Sequence, residues 1–386
     1  MLERQERMII NARDGGRAGR DGAHGASNGA FASRLAMTRR GFCALSLAAA
    51  VSLLGCSRGE STQEASSSVA DEGAGVADTS SSAADQVQSR TIFVFDTVVQ
   101  LSALCSPELM QKLVDRCNYF EGKLSRTVEG SDVWNINHAA GSPVEVAPET
   151  AEVISAALEY AAASDGLFDI TIGAVSSLWD FTEGVKPEDG EIAAALPHVN
   201  WRNVSVDGCV VTLSDPLAAL DLGGIAKGYI TDDLVRMLRE GGCSQASLSL
   251  GGNVYVMGKS FDGDEWNVGV QDPNGEANDV IASIPAEDAS LVTSGLYERS
   301  FTQDGVLYYH ILDPKTGYPV KTDLASASIK SDRSIDGDAY STILFLMGHD
   351  RALDLVNADD RFEAVLVDDD DVATISSGSA FKLVSA

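Results

Sequence analysis

The sequence predicts a mixed α/β, or α+β, fold: a single domain with a β-sheet core and flanking helices. Short runs of β-branched and aromatic residues, typical of strands, occur along the chain. Between them lie segments whose apolar residues recur every three or four positions, as in amphipathic helices. The two patterns together favour a sheet packed against helices. The chain has 386 residues, 44 % of them hydrophobic, so it is long enough to bury a sizeable core.

The first half of the predicted domain begins with strands and continues with helices. Alternating apolar residues between Thr91 and Cys105 predict strands that enter the sheet. From Leu109 to Leu124, apolar residues at helical spacing predict an amphipathic helix. Pro148 is expected to open a second helix, because proline suits the first helical turn, and Asp165-Gly166 to end it.

The second half adds strands around one long helix. This third helix is predicted to follow Gly223-Gly224 and to end at Gly241-Gly242. Four apolar runs predict strands, at 247–256, 266–270, 324–330 and 364–367. The run 342–347 predicts an apolar helix, and the stretch 178–203, which lacks periodicity, is expected to be a loop bordering a site.

The first 90 residues are interpreted as segments that precede the folded domain. Residues 1–36, polar and without periodicity, predict a disordered extension or a mis-assigned start upstream of Met37. Residues 37–56 combine paired arginines, a short apolar run and a lipobox-like end at Cys56, a pattern typical of a lipoprotein signal peptide. An incidental cysteine after an ordinary cleaved signal is the alternative. Residues 57–90, rich in Ser, Ala and acidic side chains, predict a flexible linker.

These segments predict an exported protein, anchored through the lipid on Cys56 to the extracytoplasmic face of a bacterial membrane. With 57 acidic and 28 basic side chains, the chain lacks the basic excess that binds phosphate backbones, so no nucleic-acid partner is expected. None of the cysteines of the predicted domain has CxxC spacing, so zinc is not indicated. Disulfides are possible outside the cytoplasm, but spacing assigns no pairing among Cys105, Cys117, Cys209 and Cys243.

A glycine-rich motif, DLGGIAKGY from Asp221 to Tyr229, opens the third predicted helix. Glycines let the backbone approach a ligand closely, a helix N-terminus offers amides to an anion, and Lys227 adds a positive charge. The motif therefore indicates phosphate or diphosphate binding. A tight strand-to-helix turn with a surface lysine is the alternative.

A second motif, GLFDITIG at 166–173, precedes Trp179 and places the carboxylate of Asp169 among apolar and aromatic side chains. This combination suits a planar heteroaromatic ring that stacks on the aromatic residues while Asp169 accepts hydrogen bonds. For Phe168 and Trp179 individually, a place in the hydrophobic core is the alternative.

His310 lies within a third motif, YYHILDPKTGYP at 308–319. A neutral histidine can take a proton from a hydroxyl nucleophile, which makes His310 a candidate general base. A buried histidine satisfied by a backbone carbonyl is the alternative.

The fourth motif, DGDAYST at 336–342, precedes an apolar run. If Asp338 begins a helix, Ser341 and Thr342 lie one turn further on, so that a carboxylate and two hydroxyls converge. Hard oxygen donors of this kind suit Mg²⁺. Helix capping by Asp338 is the alternative.

Together the motifs resemble those of the ApbE family of FAD:protein FMN transferases. The matching phrases follow the family's order over roughly residues 91–350 and are GLFDITIG with the later LW, DLGGIAKGY, SLGGNVY, TSGLYER, YYHILDPKTGYP and DGDAYST. The stretch LSRTVEGSDVWNIN also resembles the family's early Ser-rich loop. The sequence departs from the family at Phe95-Asp96-Thr97, where many relatives have a Gly-Thr pair.

The resemblance implies a catalytic domain over residues 91–386 that binds FAD and Mg²⁺. It would transfer FMN to a threonine hydroxyl of an exported or membrane acceptor protein and release AMP. The implied FAD-binding residues are Thr127, Leu167, Phe168, Asp169, Asp221, Lys227 and Leu312. The implied metal ligands are a carbonyl near Gly224 and the side chains of Asp338, Ser341 and Thr342.

For the chemical step, His310 is expected to deprotonate the acceptor threonine, while Asp338 acts through the metal. Two other functions remain compatible with the same residues. One is an FAD pyrophosphatase, because water can replace threonine at the same phosphorus. The other is a flavin-binding lipoprotein without catalysis.

Overall fold

The computed structural model describes residues 86–275 and 279–384. The predicted extension, the signal peptide with Cys56 and most of the linker lie outside the described residues and stay predictions. The predicted linker 57–90 extends too far, because its last five residues belong to the first strand. That strand pairs along its whole length with the next one, from Gln86 opposite Cys105 to Val94 opposite Thr97.

The described residues form eight α-helices and sixteen strands, some of them very short. The helices are α1 (Pro107–Leu124), α2 (Asp132–Asn137), α3 (Pro148–Ala163), α4 (Gly173–Ser176), α5 (Asp189–Ala195), α6 (Ala226–Glu240), α7 (Ser334–Met347) and α8 (His349–Asn357). The strands are β1 (Gln86–Val94), β2 (Thr97–Cys105), β3 (Val144–Glu145), β4 (Val204–Asp207), β5 (Val210–Leu213), β6 (Ala246–Leu250), β7 (Asn253–Met257), β8 (Trp266–Gln271), β9 (Val280–Ala286), β10 (Ala289–Gly295), β11 (Ser300–Gln303), β12 (Val306–Tyr309), β13 (Leu324–Ser331), β14 (Glu363–Asp368), β15 (Ala373–Ile375) and β16 (Lys382–Leu383).

An eight-stranded sheet organises the fold, in the order β1-β2-β6-β7-β10-β13-β14-β15. All its neighbouring strands run antiparallel. Smaller sheets form from β16-β9-β8, from β3-β5-β4 and from the hairpin β11-β12. The mixed α+β fold predicted from the sequence is confirmed.

The large sheet is covered on both faces. Along β7, alternate side chains belong to two different hydrophobic cores. Tyr255 and Met257 belong to the core that includes α1, α3 and α6, whereas Val254 and Val256 pack with residues of β8 and β9. Because successive side chains of a strand point to opposite faces, helices cover one face and the small sheet covers the other.

Helices α6 and α7 cap each other across their contact. Asp232 of α6 accepts hydrogen bonds from the backbone amides of Ser334 (2.7 Å) and Ile335 (3.0 Å) at the start of α7. Asp338 of α7 accepts one from the amide of Gly228 (2.8 Å) in the first turn of α6. Burial raises the pKa of Asp232 to about 6. Each helix thus satisfies amides that the other would leave unpaired, and this fixes their relative position.

Gly228 allows this close approach. A Cβ atom at this position would lie 2.5 Å from the carbonyl oxygen of Ser334 and 2.8 Å from Cβ of Asp338.

We expect Gly228→Ala to lower the free energy of unfolding by about 1–3 kcal/mol, because α7 would have to move away from α6. Chemical denaturation measures this change. Gly122→Ala in α1 is the matched control, because no heavy atom lies within 4 Å of the Cβ that it would add. This change should leave the free energy of unfolding unchanged or raise it slightly. Equal effects at both positions would contradict the interpretation.

The predicted helices at 109–124, after Pro148 and after Gly224 are confirmed. The predicted strand 247–256 is instead the hairpin β6-β7, because Gly251 and Gly252 both have positive φ angles and form the turn. The stretch 178–203 is not only loop, since it contains α5. The helix predicted at 342–347 begins earlier, at Ser334, because the DGDAYST motif is itself helical. Within the described ranges, no helix has the length and apolarity needed to span a membrane.

Candidate active site

The loop before α6 is held in place by a side chain from α2. Asn137 accepts a hydrogen bond from the amide of Leu220 (2.6 Å) and donates one to its carbonyl (2.9 Å). This pair of bonds mimics strand pairing and fixes the chain just before Asp221. Asn137 belongs to the stretch that resembles the family's early loop, but the sequence did not reveal this positioning role.

Asp221 is the centre of a small polar network. It accepts hydrogen bonds from the hydroxyl of Ser176 (2.7 Å) and from the amide of Gly223 (2.9 Å). Nε of Arg126 lies 3.3 Å from the same carboxylate. Arg126 was missed at the sequence level, because a single arginine in a Ser-rich loop carries no motif. It brings the early loop into contact with the DLGGIAKGY motif.

Lys227 connects the glycine-rich loop with α7. Its ammonium donates a hydrogen bond to the carbonyl of Gly223 (2.9 Å) and lies 3.5 Å from the carboxylate of Asp338. The lysine is therefore not simply a surface residue of a turn, because its ammonium pairs with a carboxylate of the DGDAYST motif. Only 5 % of the Asp338 side chain is exposed, against 25 % of the Lys227 side chain, so the pair joins a buried carboxylate to a partly exposed ammonium.

The hydroxyl groups of α7 converge beside Asp338. Asp338 does not begin α7 but lies in its second turn, because the helix starts at Ser334, and it therefore caps α6 rather than its own helix. Ser341 and Thr342 follow one turn later and donate to the backbone carbonyl of Asp338, at 3.0 and 3.4 Å. Ser294, at the end of β10, lies 3.0 and 3.3 Å from these two hydroxyls; it stands in the TSGLYER phrase, but the sequence alone indicated no role for it.

The donor set at this point fits Mg²⁺. A carboxylate and two hydroxyl oxygens come from α7, and Gly224 is close to them, since its Cβ position lies 3.6 Å from Oγ1 of Thr342. Among the described residues, no group of three or more His, Cys, Asp or Glu side chains could hold a metal. One carboxylate is nevertheless compatible with Mg²⁺, which keeps several waters and commonly binds one or two carboxylates together with substrate phosphates.

The GLFDITIG motif lies against this cluster. The Cβ position of Gly224 is 3.1 Å from the ring of Phe168, which is buried in the main core. Leu167 is half-buried beside it. Asp169 is buried and accepts hydrogen bonds from the amide and hydroxyl of Thr171 and from the amide of Trp201 (2.9 Å). Burial raises the pKa of Asp169, and its hydrogen bonds show that it positions the segment at Trp201.

His310 follows β12 directly and is exposed to solvent. Its amide donates to the carbonyl of Arg299 (3.1 Å), while its ring has no hydrogen-bond partner among the described residues. The alternative of a buried histidine satisfied by a carbonyl is therefore wrong. The pKa of His310 is lowered to about 4, chiefly because the surrounding protein desolvates the charged form of the ring. The positive charges of Arg299 and Lys227 lower it further, and the negative charge of Asp221 opposes them. His310 thus lies within electrostatic reach of the glycine-rich loop and is neutral at pH 7.

Two of the residues predicted to bind FAD lie away from the Lys227–Asp338 pair. Thr127 is exposed and bonds only to Ser125, although it follows Arg126 directly. Leu312 is buried in a separate small cluster with Val175 and Trp179, so the core alternative holds for that tryptophan. Neither residue contacts the Lys227–Asp338 pair directly.

Comparison with known proteins identifies the relatives of this arrangement. The family model of the ApbE family matches residues 95–366 of this chain. This chain belongs to the ApbE family. A Klebsiella pneumoniae (strain 342) protein named FAD:protein FMN transferase is 36 % identical over 253 residues, 64 % of this chain and 78 % of that protein. A Treponema pallidum (strain Nichols) protein of the same name is 35 % identical over 274 residues, 66 % of this chain and 75 % of that protein.

Solved ApbE structures share the fold. A crystal structure of the ApbE protein from Thermotoga maritima matches with a TM-score of 0.70 and 33 % identity, over 76 % of this chain and 97 % of that one. The flavin transferase ApbE from Vibrio cholerae matches with a TM-score of 0.68 and 23 % identity over the same shares, a likeness that concerns the fold.

This ApbE-family chain departs from the Gly-Thr pair of many relatives at the β1-β2 turn. Phe95 and Asp96 there have φ angles of 58° and 53°, the left-handed region that favours glycine. Contacts from two other segments hold the turn. The amide of Phe95 donates to Glu121 (2.8 Å), and the guanidinium of Arg299 donates to the carbonyl of Asp96 (3.2 Å). Arg299 therefore connects the turn to the segment that carries His310.

Proposed function

We propose that this chain transfers the FMN moiety of FAD to a threonine hydroxyl of a partner protein, with Mg²⁺, and releases AMP. The observation that carries the proposal is the Lys227–Asp338 pair, which joins two motifs, together with His310 of a third motif, whose pKa the charges of Lys227 and Asp221 influence. The names of the relatives support the same reaction, since they are FAD:protein FMN transferases.

The glycine-rich loop and Lys227 would hold the diphosphate of FAD. Lys227 is anchored by the carbonyl of Gly223 and by Asp338, so its charge is pre-positioned rather than mobile. Asp338, Ser341, Thr342 and a carbonyl near Gly224 would hold Mg²⁺, which when bound supplies positive charge to the diphosphate. Because Asp338 also receives the amide of Gly228, its orientation depends on the α6-α7 contact.

His310 would accept the proton of the acceptor threonine. Its ring is neutral at pH 7 and has no hydrogen-bond partner among the described residues, so a nitrogen lone pair would be available to the acceptor hydroxyl. In the proposed step the threonine Oγ forms a bond to the flavin-side phosphorus, the P–O bond to the adenylate breaks, and AMP leaves. The threonine proton passes to the imidazole of His310.

Incubation of the protein with FAD, Mg²⁺ and a candidate acceptor carrying an exposed threonine tests the proposal, with intact-mass spectrometry of the acceptor as the readout. We expect the acceptor to gain the mass of one FMN less one water, and an equal amount of AMP to be released. Release of FMN and AMP with an unmodified acceptor would identify an FAD pyrophosphatase. Retention of intact FAD, with or without Mg²⁺, would identify a flavin-binding protein. Either result would reject the proposal.

A further inference from the structure

Two junctions between strand and helix lie next to each other at one end of the large sheet. One is the passage from β2 to α1 at Cys105, and the other is the passage from α6 to β6 at Cys243. In the β2-β6 ladder, Ala103 stands opposite Ala246. The amide of Leu104 donates to the carbonyl of Gln245 at 2.9 Å, which continues the register by one residue.

This register places Cys105 beside Ser244, next to Cys243 in the chain. Residues that are opposite in an antiparallel pair have Cα atoms about 4.5–5.5 Å apart, and the next residue along is only slightly further. The Cα separation that a disulfide requires is about 4.4–6.8 Å. The helices confirm that the junctions touch, since a Cβ atom on Gly241 would lie 2.4 Å from Cδ2 of Leu109 in the first turn of α1.

The side chains of the two cysteines also share one environment. Cys105 is 2 % exposed and belongs to the main core, and Cys243 is half-buried and packs against the same core. Within a strand, neighbouring side chains point to opposite faces of the sheet. Cys243 precedes β6, which begins at Ala246, so this rule does not set its direction; its packing against the main core does. Both side chains therefore face the helix-covered side of the sheet.

We propose that Cys105 and Cys243 are a dithiol pair that oxidation converts to a structural disulfide. The other cysteines of the described ranges do not compete. Cys117 is fully buried within α1, where burial raises the pKa of its thiol to about 12, and Cys209 lies at the β4-β5 turn in another sheet. The proposal concerns the scaffold and is independent of the flavin reaction.

The oxidant is a disulfide of low molecular mass or a thiol-disulfide oxidoreductase. The thiolate of Cys243, the more exposed of the two, attacks one sulfur of the oxidant and releases one thiol. The thiolate of Cys105 then attacks Sγ of the mixed disulfide and releases the second thiol. Two protons and two electrons pass to the oxidant. The bond closes a loop on the order of 100 residues, so the unfolded chain loses much conformational freedom.

The test is peptide mapping of the folded protein after equilibration with oxidised glutathione, alkylation and digestion without reductant. We expect a cross-linked peptide pair containing Cys105 and Cys243, lighter by two hydrogen atoms than the separate peptides. Oxidation should also raise the Tm by about 4 °C or more relative to protein reduced with dithiothreitol.

Matched variants separate this disulfide from other effects. Cys243→Ser changes a half-buried residue, so it should fold and should lose both the cross-link and the redox-dependent Tm shift. Cys209→Ser should keep both. Full alkylation of Cys105 and Cys243 when the oxidised protein is unfolded in denaturant without reductant would overturn the proposal, as would a cross-link that uses Cys117 or Cys209. A redox-dependent Tm shift that persists in Cys243→Ser would overturn it too.

Discussion

Asp338→Ala is expected to lower the rate of FMN transfer by about 1000-fold or more, because loss of the proposed Mg²⁺ ligand would remove several kcal/mol of charge stabilisation. The same change removes the acceptor of the Gly228 amide and the partner of Lys227. The initial rate of acceptor flavinylation, measured at saturating FAD with Mg²⁺ varied, is the direct readout. The apparent affinity for Mg²⁺ should fall with the rate.

Asp332→Ala is the matched control, since Asp332 is an exposed aspartate just before α7. It should retain the rate of the unchanged protein. Because Asp338 also caps α6, thermal unfolding of both variants separates loss of fold from loss of chemistry. A folded Asp338→Ala protein with an undiminished rate would contradict the role given to this carboxylate.

His310→Ala is expected to lower the transfer rate by about 100-fold or more, which is the usual contribution of a general base. FAD binding, followed by the change in flavin fluorescence, should change little, because the ring contacts no other side chain by a hydrogen bond within the described ranges. His349→Ala is the control, since that ring contacts Asp350 and Thr374 instead. An equal loss of rate in both variants would contradict a base at His310.

The low pKa of His310 also predicts the pH dependence of the rate. A base must be neutral to act, and the pKa of His310 is lowered to about 4, so the group is in its active form at every higher pH. The contribution of this group should be constant from about pH 6 to pH 8 and should be lost as the pH falls through about 4. A fall in rate near pH 6.5 that disappears in His310→Ala would contradict this assignment.

Local patterns predicted most of the helices and the longer strands. Helical spacing of apolar residues predicts α1, α3 and α6, together with Pro148 in the first turn of α3, because these signals act within a few residues. The β6-β7 hairpin was missed because strand-like residues on both sides of Gly251-Gly252 predict one continuous segment, although this glycine pair forms the turn. The short strands β3 and β16 have two residues each and depend on pairing partners that are distant in sequence.

The candidate site was predictable in its motifs but not in the residues that hold them. Lys227, Asp338 and His310 received roles from the sequence, whereas Asn137, Arg126 and Ser294 stand in the quoted phrases but act through contacts with segments far along the chain. Periodicity and spacing carry no information on such contacts. The capping of α6 by Asp338 is of the same kind, since its partner Gly228 lies 110 positions away.

Crystals grown with FAD and with Mn²⁺ in place of Mg²⁺ give the most direct test of the central claim, that one cleft holds both a cation and the diphosphate of FAD. The anomalous signal of Mn²⁺ locates the cation without reference to the protein atoms. We expect the peak within coordination distance of Asp338 and Thr342, with the diphosphate between it and Lys227. A cation bound elsewhere, or a diphosphate remote from Lys227 and His310, would contradict the account.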